Sequence, residues 1–119
     1  MINFSYLFRP STCGYYCLRH ITKKIKFINK KYMSLYEMKD ALLKFNIYCF
    51  CCRVKSLENV KRECVTLMFT KTNFHYIVIK QVTCSHVYFY DPLFLLVRKM
   101  KKDRFLKKWS KICLFYIKI

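Results

Sequence analysis

The chain contains one cysteine, one histidine and one aspartate whose types and spacing fit nucleophilic catalysis by a thiol. Cys13 precedes Gly14, the only glycine among 119 residues, and stands at the expected start of a helix. The positive end of a helix dipole stabilises a thiolate, so we expect a lowered pKa for Cys13. A neighbouring glycine leaves room for a substrate backbone, which makes Gly14 the predicted substrate-binding residue. A thiol nucleophile also needs an imidazole to take its proton and a third group to orient that imidazole.

Strand geometry predicts which residues supply those two groups. His75 opens a predicted strand over 74–81, and Asp91 directly follows the next predicted strand over 86–90. In an antiparallel pair, the start of one strand lies beside the end of the next. The sequence therefore predicts that His75 and Asp91 meet and that they form a catalytic triad with Cys13.

Two helices are predicted ahead of the sheet that holds these residues. One of residues 11 and 12 is the expected N-cap of a helix over 13–27, whose apolar positions keep helical spacing. Ser34 with Glu37 three residues later predicts a capping box on a second helix. Asn46 is the expected left-handed residue that ends this second helix.

The rest of the chain has the pattern of strands. Predicted strands cover 47–54, 64–69, 74–81, 86–90, 95–97 and 112–117, with a short helix or turn over 56–62 and a helix over 103–109. Two helices followed by an antiparallel sheet predict an α+β fold, and the length predicts a single domain over 1–119.

Taken together, these residues resemble the peptidase C39 family, the papain-like cysteine peptidase domains of ABC transporters that export bacteriocins and other peptides with double-glycine leaders. The resemblance rests on Cys13-Gly14 with Cys17-Leu18, on Phe74-His75-Tyr76-Ile77-Val78, on Tyr90-Asp91-Pro92, and on Phe105, Trp109 and the closing strand. It implies a papain-like fold in which N-terminal helices pack on an antiparallel sheet. It also implies that Cys13 is the nucleophile, His75 the general base and Asp91 the orienting residue in the cleavage of leader peptides from exported precursors.

The sequence departs from the family pattern at the position of an oxyanion-hole glutamine. That glutamine normally lies six residues before the cysteine, where this chain has Leu7, which has no side-chain donor. The backbone N–H of Cys13 could still serve, and Arg9 or Ser11 could substitute. Loss of one such donor typically lowers turnover by roughly 10²–10³-fold. The alternative function is therefore a catalytically degenerate C39-like domain that binds a leader peptide or a transporter partner without cleavage.

Two further departures concern backbone shape. The stretch between Cys13 and His75 is short for the family, as if one helix were trimmed. Glycines that are usual after the Asp-Pro pair and at the end of the second helix are replaced by Leu95 and Asn46.

The formal net charge of +18 permits binding to nucleic acid or to an anionic membrane surface. The lysines are spread along the chain and no nucleic-acid motif accompanies them, so we expect no nucleic-acid partner. A small nucleic-acid-binding protein is the third alternative. The expected partners are a peptide substrate with a leader sequence and an ABC transporter membrane protein, to which any ATP binding would belong. The basic run over 98–111 is expected to be a solvated helix face with Phe105 and Trp109 turned inward.

The eight cysteines are expected to be reduced, because the start of the chain lacks the pattern of a signal peptide. No uncharged apolar run approaches the ~20 residues that span a bilayer. The expected location is cytoplasmic, at the inner face of the cell membrane through a transporter partner. Most cysteines, including those at 49, 51 and 52, are expected to pack in the core. Cys13, Cys17 and His20 could suggest zinc, but no second ligand pair has zinc-site spacing, so no metal or cofactor is expected.

Overall fold

The computed structural model describes residues 13–25, 33–69 and 74–118. The helices are α1 (Cys13–Ile21), α2 (Leu35–Leu43) and α3 (Lys102–Leu106), and the strands are β1 (Ile47–Arg53), β2 (Cys64–Phe69), β3 (Phe74–Val82), β4 (His86–Asp91), β5 (Leu96–Lys101) and β6 (Trp109–Lys118). A single 3-10 turn over Leu57–Asn59 connects β1 to β2. The strands form one antiparallel sheet in the order β1-β6-β2-β3-β4-β5. This confirms the predicted α+β fold of helices packed on an antiparallel sheet.

Helix α2 begins where the sequence predicts. The described part of α1 starts at Cys13, and α2 follows Ser34, whose hydroxyl accepts a hydrogen bond from the backbone N–H of Glu37 at 3.1 Å. The Glu37 carboxylate in turn accepts from the backbone N–H of Ser34 at 3.1 Å, so the predicted capping box is confirmed. Asn46 adopts a left-handed φ of 59° after α2, also as predicted.

Helix α1 is shorter than predicted. It ends at Ile21, and the hydroxyl of Thr22 accepts a hydrogen bond from the backbone N–H of Lys24 at 3.4 Å. A threonine hydroxyl that bonds the local backbone competes with helix continuation, which accounts for the early end. The remainder of the predicted helix, residues 26 and 27, and its predicted N-cap at 11 or 12 lie outside the described residues.

Each face of the sheet carries its own core. Helices α1 and α2 cover one face, where Leu18, Met38 and Leu114 are fully buried. Helix α3 and the 3-10 turn cover the other face, where Phe89 and Phe105 pack together with ring centroids 5.7 Å apart. Strand β3 therefore lies between two cores, and its side chains alternate between them.

The segment over 98–111 is not the solvated helix face that the sequence predicts. It forms edge strand β5, the five-residue helix α3 and the start of β6. Phe105 and Trp109 are both buried as predicted, but Trp109 belongs to β6, where it pairs with Met68 of β2 and donates its indole N–H to the hydroxyl of Thr66 at 2.8 Å. Within the described ranges, no helix has both the length and the apolar character needed to cross a bilayer.

The cysteines divide between core and surface. All eight are free thiols; Cys13, Cys17, Cys64 and Cys113 are buried, Cys49 is half-buried, and Cys51, Cys52 and Cys84 are exposed. Three cysteines of β1 are predicted to pack in the core, and this prediction is wrong for Cys51 and Cys52. Strand β1 is an edge strand with little covering it, so burial does not extend across both of its faces.

Candidate active site

The structure brings His75 and Asp91 together, as the strand geometry predicts. Val78 of β3 pairs with Tyr90 of β4, so His75 and Asp91 project from the same face of the sheet as diagonal neighbours. The Nε2 atom of His75 lies 3.8 Å from Oδ1 of Asp91. This separation is longer than a good hydrogen bond, and contacts of this kind commonly tighten when substrate binds. The catalytic roles of the two residues stay predictions.

Asp91 is held in place by two further contacts. Its carboxylate is almost fully buried; Oδ1 accepts a hydrogen bond from the backbone N–H of Leu93 at 3.0 Å, and Oδ2 accepts from Nη1 of Arg98 at 2.8 Å. The Arg98 guanidinium also lies over the ring of Phe94, 4.8 Å from its centroid. Because burial of an unpaired charge is costly, Arg98 is the cation that compensates the buried Asp91 carboxylate.

Sequence reasoning missed Arg98 because it treated this residue as one of a run of solvated cations. A signal was available in the turn that follows Asp91. A hairpin there pairs Phe89 with Arg98, which places Arg98 diagonally across from Asp91 on one face. A buried aspartate at a strand end needs a cation, and Arg98 is the one within reach across the hairpin.

His75 is neutral in the resting site. Burial lowers its pKa, the neighbouring Asp91 charge acts to raise it, and the positive charges of Arg98 and Lys108 lower it further, with a net shift below the ordinary value. Its Nδ1 atom is buried and has no hydrogen-bond partner among the described residues. With Nε2 turned toward the Asp91 carboxylate, a proton on Nε2 leaves the lone pair on Nδ1, where the ring can act as a base.

Cys13 is buried at the first position of α1. Burial raises its pKa to about 12; a hydrogen bond with the backbone of Tyr76 opposes this, and the negative charge of Asp91 adds to it. The predicted lowering of the pKa is therefore wrong, because removal of the sulfur from water outweighs the helix N-terminus. The contact with Tyr76, the residue after His75, places the thiol in the core between α1 and β3, whereas His75 and Asp91 project from the opposite face of the sheet, the face of Phe89.

Close packing explains why residue 14 is a glycine, and the sequence did not predict this packing. A Cβ added there would lie 3.1 Å from Cβ of Met33, and the Met33 carbonyl accepts a hydrogen bond from the Tyr76 hydroxyl at 2.7 Å. Gly14 thus lets α1 approach a segment that β3 holds in place. Its role in substrate binding stays a prediction.

The predicted oxyanion-hole region cannot be placed against this geometry. Leu7, Arg9 and Ser11 lie outside the described residues. Farther along α1, Cys17 is fully buried, and His20 stacks on Tyr90 with ring centroids 4.0 Å apart. Across residues 13–25, 33–69 and 74–118, no group of three or more His, Cys, Asp or Glu side chains is arranged to hold a metal ion.

A cavity of about 530 Å³ opens beside the His75–Asp91 pair. Its lining combines apolar side chains with a concentration of cations: Met68, Phe69, Phe89 and Met100, together with Arg98, Arg104, Lys107 and Lys108. His75 and Asp91 therefore contribute to the lining of a positively charged cleft, although the Asp91 carboxylate itself is almost fully buried.

Comparison with protein families matches residues 24–118 to the peptidase C39 family. The matched range contains His75 and Asp91 and begins after α1, so Cys13 lies outside it. No curated protein matches the chain.

Several solved structures share the fold. The peptidase domain of Streptococcus ComA, a bi-functional ABC transporter involved in a quorum sensing pathway, is 15% identical with a TM-score of 0.77, over 93% of this chain and 94% of that one. A double glycine motif protease from an AMS/PCAT transporter, solved in complex with the leader peptide, is 17% identical with a TM-score of 0.69, over 87% and 82%. The N-terminal peptidase C39 like domain of a toxin secretion ATP-binding protein from Vibrio parahaemolyticus is 10% identical with a TM-score of 0.63, over 92% and 96%. At these identities the likeness concerns the fold.

Proposed function

The chain belongs to the peptidase C39 family, and from this premise we propose that it is a cysteine endopeptidase that cleaves leader peptides of the double-glycine type from exported peptide precursors. Cys13 is the nucleophile, His75 the general base and Asp91 the residue that orients the imidazole. One observation carries the proposal: the His75 ring has one nitrogen 3.8 Å from a buried carboxylate and its other nitrogen buried without a partner. A ring held in this way has a free lone pair that can accept a proton from a thiol, and the proposal requires that substrate binding bring the Cys13 sulfur to this nitrogen.

The reaction moves one proton back and forth at Nδ1 of His75. As the sulfur of Cys13 attacks the scissile carbonyl carbon, the thiol proton passes to Nδ1. The imidazolium then donates this proton to the leaving amine while the carbon–nitrogen bond breaks and a thioester forms. Water, deprotonated by the same nitrogen, hydrolyses the thioester and restores the thiol. Asp91 stabilises the imidazolium during both steps.

The resting site holds a thiol and a neutral imidazole rather than an ion pair. The pKa of Cys13 lies near 12 because of burial, whereas that of His75 lies below its ordinary value. Proton transfer therefore belongs to the attack step itself. A bound substrate that displaces water and turns the Nε2 contact with Asp91 into a hydrogen bond lowers the energy of that transfer.

The proposed setting is the inner face of the cell membrane, where the chain meets its substrate through an ABC transporter partner. The ComA and AMS/PCAT domains with the same fold both come from transporters, and the second was solved with a leader peptide bound. These likenesses support a peptide substrate, and we expect no nucleic-acid partner.

A mass-spectrometric cleavage assay tests the proposal. Leader peptides that end in two glycines, each joined to a short cargo, are incubated with the wild-type chain, with Cys13→Ala and with Cys84→Ala. Cys84 is exposed in the turn after β3, at the opposite end of that strand from His75, so its substitution is the matched control. Cleavage after the second glycine by the wild type and by Cys84→Ala, and its loss in Cys13→Ala, is the expected result.

A catalytically degenerate domain that binds the leader without cleavage is the second candidate. Two observations favour it: the raised pKa of the buried Cys13 thiol, and the direct ion pair through which Arg98 occupies one oxygen of Asp91 at 2.8 Å. Leu7 at the usual glutamine position points the same way. Binding of the leader peptides without cleavage at any pH between 6 and 9 (an assay range of roughly three units that spans the ordinary histidine and cysteine pKa values) would replace the first candidate by this one.

A further inference from the structure

Strand pairing places two cysteines directly opposite each other on the face of the sheet that α3 covers. Cys52 of β1 pairs with Cys113 of β6. Over the described residues, this is the one position in the strand register where a cysteine lies opposite another cysteine. The rings of Phe50 and Phe115, two residues along each strand, stack with centroids 5.3 Å apart. Because side chains two residues apart share a face of a strand, the two thiols also project from this face.

The spacing of antiparallel strands suits a disulfide between these residues. Directly opposite residues in such strands have Cα atoms about 4.5–5.5 Å apart. A disulfide needs a Cα separation of roughly 4.4–6.8 Å and Cβ atoms that point toward each other. Strands β1 and β6 therefore hold Cys52 and Cys113 at a separation that a disulfide can bridge without a change of register, and both are free thiols in the structure.

The two thiols differ in their access to solvent. Cys52 is exposed on edge strand β1 and lines a cavity of about 420 Å³ beside the turn that contains Asn59. Cys113 is fully buried in the core beneath it. An oxidant in solution therefore reaches Cys52 before it reaches Cys113.

The surroundings of Cys113 favour its thiolate. A hydrogen bond with Cys64 of β2 lowers the pKa of Cys113, burial acts to raise it, and the contact with the Thr66 hydroxyl at 3.7 Å lowers it further, with a net shift below the ordinary value. The same Cys64–Cys113 hydrogen bond, together with burial, raises the pKa of Cys64, so Cys64 is the member that keeps its proton. Since a thiolate is the form of cysteine that attacks an oxidised sulfur, Cys113 is suited to react with an oxidised Cys52.

We infer that Cys52 and Cys113 form a peroxide-sensitive thiol pair, in which oxidation of Cys52 is followed by an intrachain disulfide with Cys113. The inference does not depend on the proposed peptidase function. The Cys52 thiolate attacks one oxygen of hydrogen peroxide, the O–O bond breaks, and Cys52 becomes a sulfenic acid as hydroxide leaves. The Cys113 thiolate then attacks the Cys52 sulfur, the S–O bond breaks, and a second hydroxide leaves. The two thiol protons convert both hydroxides to water, so one peroxide is reduced for each disulfide formed.

The other exposed cysteines lack an opposite thiol in the described sheet. Cys51 pairs with Leu114, and Cys84 lies in the turn after β3. Cys51 is the closest control for Cys52, because it is the adjacent exposed residue on the same edge strand and projects from the other face.

Non-reducing peptide mass spectrometry tests the pair. The chain is treated with hydrogen peroxide, the remaining thiols are alkylated, and the product is digested with trypsin. The expected product joins peptide 45–53 to peptide 112–118 with the loss of two hydrogen atoms. It should form in the wild type and in Cys51→Ser, and it should be lost in Cys52→Ser. A bridge that persists in Cys52→Ser, or one that joins Cys64 to Cys113, would overturn the inference.

A sulfenic acid probe gives a second measurement. In the peroxide-treated wild type, dimedone should label Cys84 but not Cys52, because Cys113 consumes the sulfenic acid of Cys52. Cys113→Ser should restore the labelling of Cys52. Equal labelling of Cys52 and Cys84 in the wild type would also overturn the inference. The first measurement does not use Cys113→Ser, so the inference stays testable even if that buried substitution unfolds the chain.

Discussion

Asp91 is shared between a cation and an imidazole, and this sharing sets the chemistry of the site. Arg98 takes Oδ2 at 2.8 Å, whereas His75 stands 3.8 Å from Oδ1. The stronger contact fixes the carboxylate, but it also places a positive charge near the ring that becomes an imidazolium in the proposed mechanism. At the scale of the residue, Arg98 therefore stabilises the position of Asp91 and opposes the charging of His75.

Removal of the Arg98 charge is expected to raise the pKa of His75. Arg98 lowers that pKa in the folded chain, so Arg98→Gln takes away a repulsion felt by the imidazolium and leaves Asp91 to attract it. The measurement is an NMR titration of the histidine ring protons. Arg98→Lys, which keeps the charge, is the control and should move the value less. His20, whose pKa responds to Lys80 and Glu63 instead, should not shift in either variant. A lower pKa for His75 in Arg98→Gln would contradict this account.

Alkylation of Cys13 is expected to accelerate with pH well beyond neutrality. With a pKa of about 12, the thiolate fraction rises roughly tenfold per pH unit without a plateau below pH 10. Iodoacetamide labelling between pH 6 and 10, followed by peptide mass spectrometry, measures this rate (a window of about four units chosen to span ordinary thiol pKa values). The exposed Cys84 in the same chain reports that the reagent is active. A rate that is already constant above pH 6 would instead indicate a preformed thiolate–imidazolium pair.

The sequence predicted the proximity of His75 and Asp91 better than the electrostatics of the three candidate residues. His75 and Asp91 could be paired because antiparallel strands bring a strand start to a strand end. The direction of the Cys13 pKa could not be read in this way, since the sequence shows a helix N-terminus but not the layer of side chains that excludes water from it. Arg98 was missed for a related reason. It belongs to a run of lysines and arginines, and the sequence of such a run does not indicate which cation pairs with a buried carboxylate.

At the scale of the element, left-handed residues end the structures that position the site. Asn46 ends the link from α2 to β1 with a φ of 59°, and Leu95 has a φ of 54° in the turn that joins Asp91 to β5. Both stand where the family usually has glycine. Asparagine tolerates this conformation, whereas a leucine in it is strained because its Cβ approaches the following carbonyl.

Leu95→Gly is expected to stabilise the protein by roughly 0.5–1 kcal/mol. Relief of the strain of a left-handed leucine raises the free energy of unfolding of the variant. The greater conformational entropy of glycine in the unfolded chain lowers it and so offsets part of this increase. Leu95 is 44% exposed, so little apolar burial is lost. The free energy of unfolding in urea measures the change. Leu95→Ala shortens the side chain but keeps the Cβ, and it should therefore show no stabilisation.

Element boundaries were predictable where a side chain caps the backbone and not where the environment decides. Ser34 and Glu37 fix the start of α2 through two hydrogen bonds that residue types alone predict. No capping side chain of this kind marks the ends of β5 and α3. Strand β5 is an edge strand, so its residues need no apolar alternation. Trp109 belongs to β6 rather than to the predicted helix, and its place opposite Met68 on β2 depends on a pairing between residues far apart in the sequence.

At the scale of the whole molecule, a net charge of +18 leaves few carboxylates to balance additional protons. Three of them are already committed in the structure: Glu58 pairs with Lys102 at 3.5 Å, Glu63 with Lys80, and Asp91 with Arg98. Two partly buried histidines, His20 and His75, add charge to this surplus when they are protonated. Stability should therefore depend on pH in the range where these rings titrate.

The protein is expected to lose stability as the pH falls below about 6.5. Burial lowers the pKa of both His75 and His20 in the folded chain, although Asp91 and Glu63 respectively act to raise them. The unfolded chain therefore binds more protons between each folded pKa and the ordinary value near 6.5, and the free energy of unfolding rises with pH across that window. Each ring can contribute a slope of at most about 1.4 kcal/mol per pH unit.

Thermal unfolding at pH 5.5 and 7.5, at constant ionic strength, measures this dependence (two values placed about one unit on either side of the ordinary histidine pKa). His75→Gln and His20→Gln should each reduce the difference in Tm between the two pH values, because each removes one ring that must stay neutral in the folded chain. The double variant should reduce it further. A difference that persists unchanged in the double variant would place the acid sensitivity elsewhere, in the general repulsion of a chain with charge +18. Added salt separates the two causes, since it weakens long-range repulsion between exposed charges more than it weakens the desolvation of a buried imidazole.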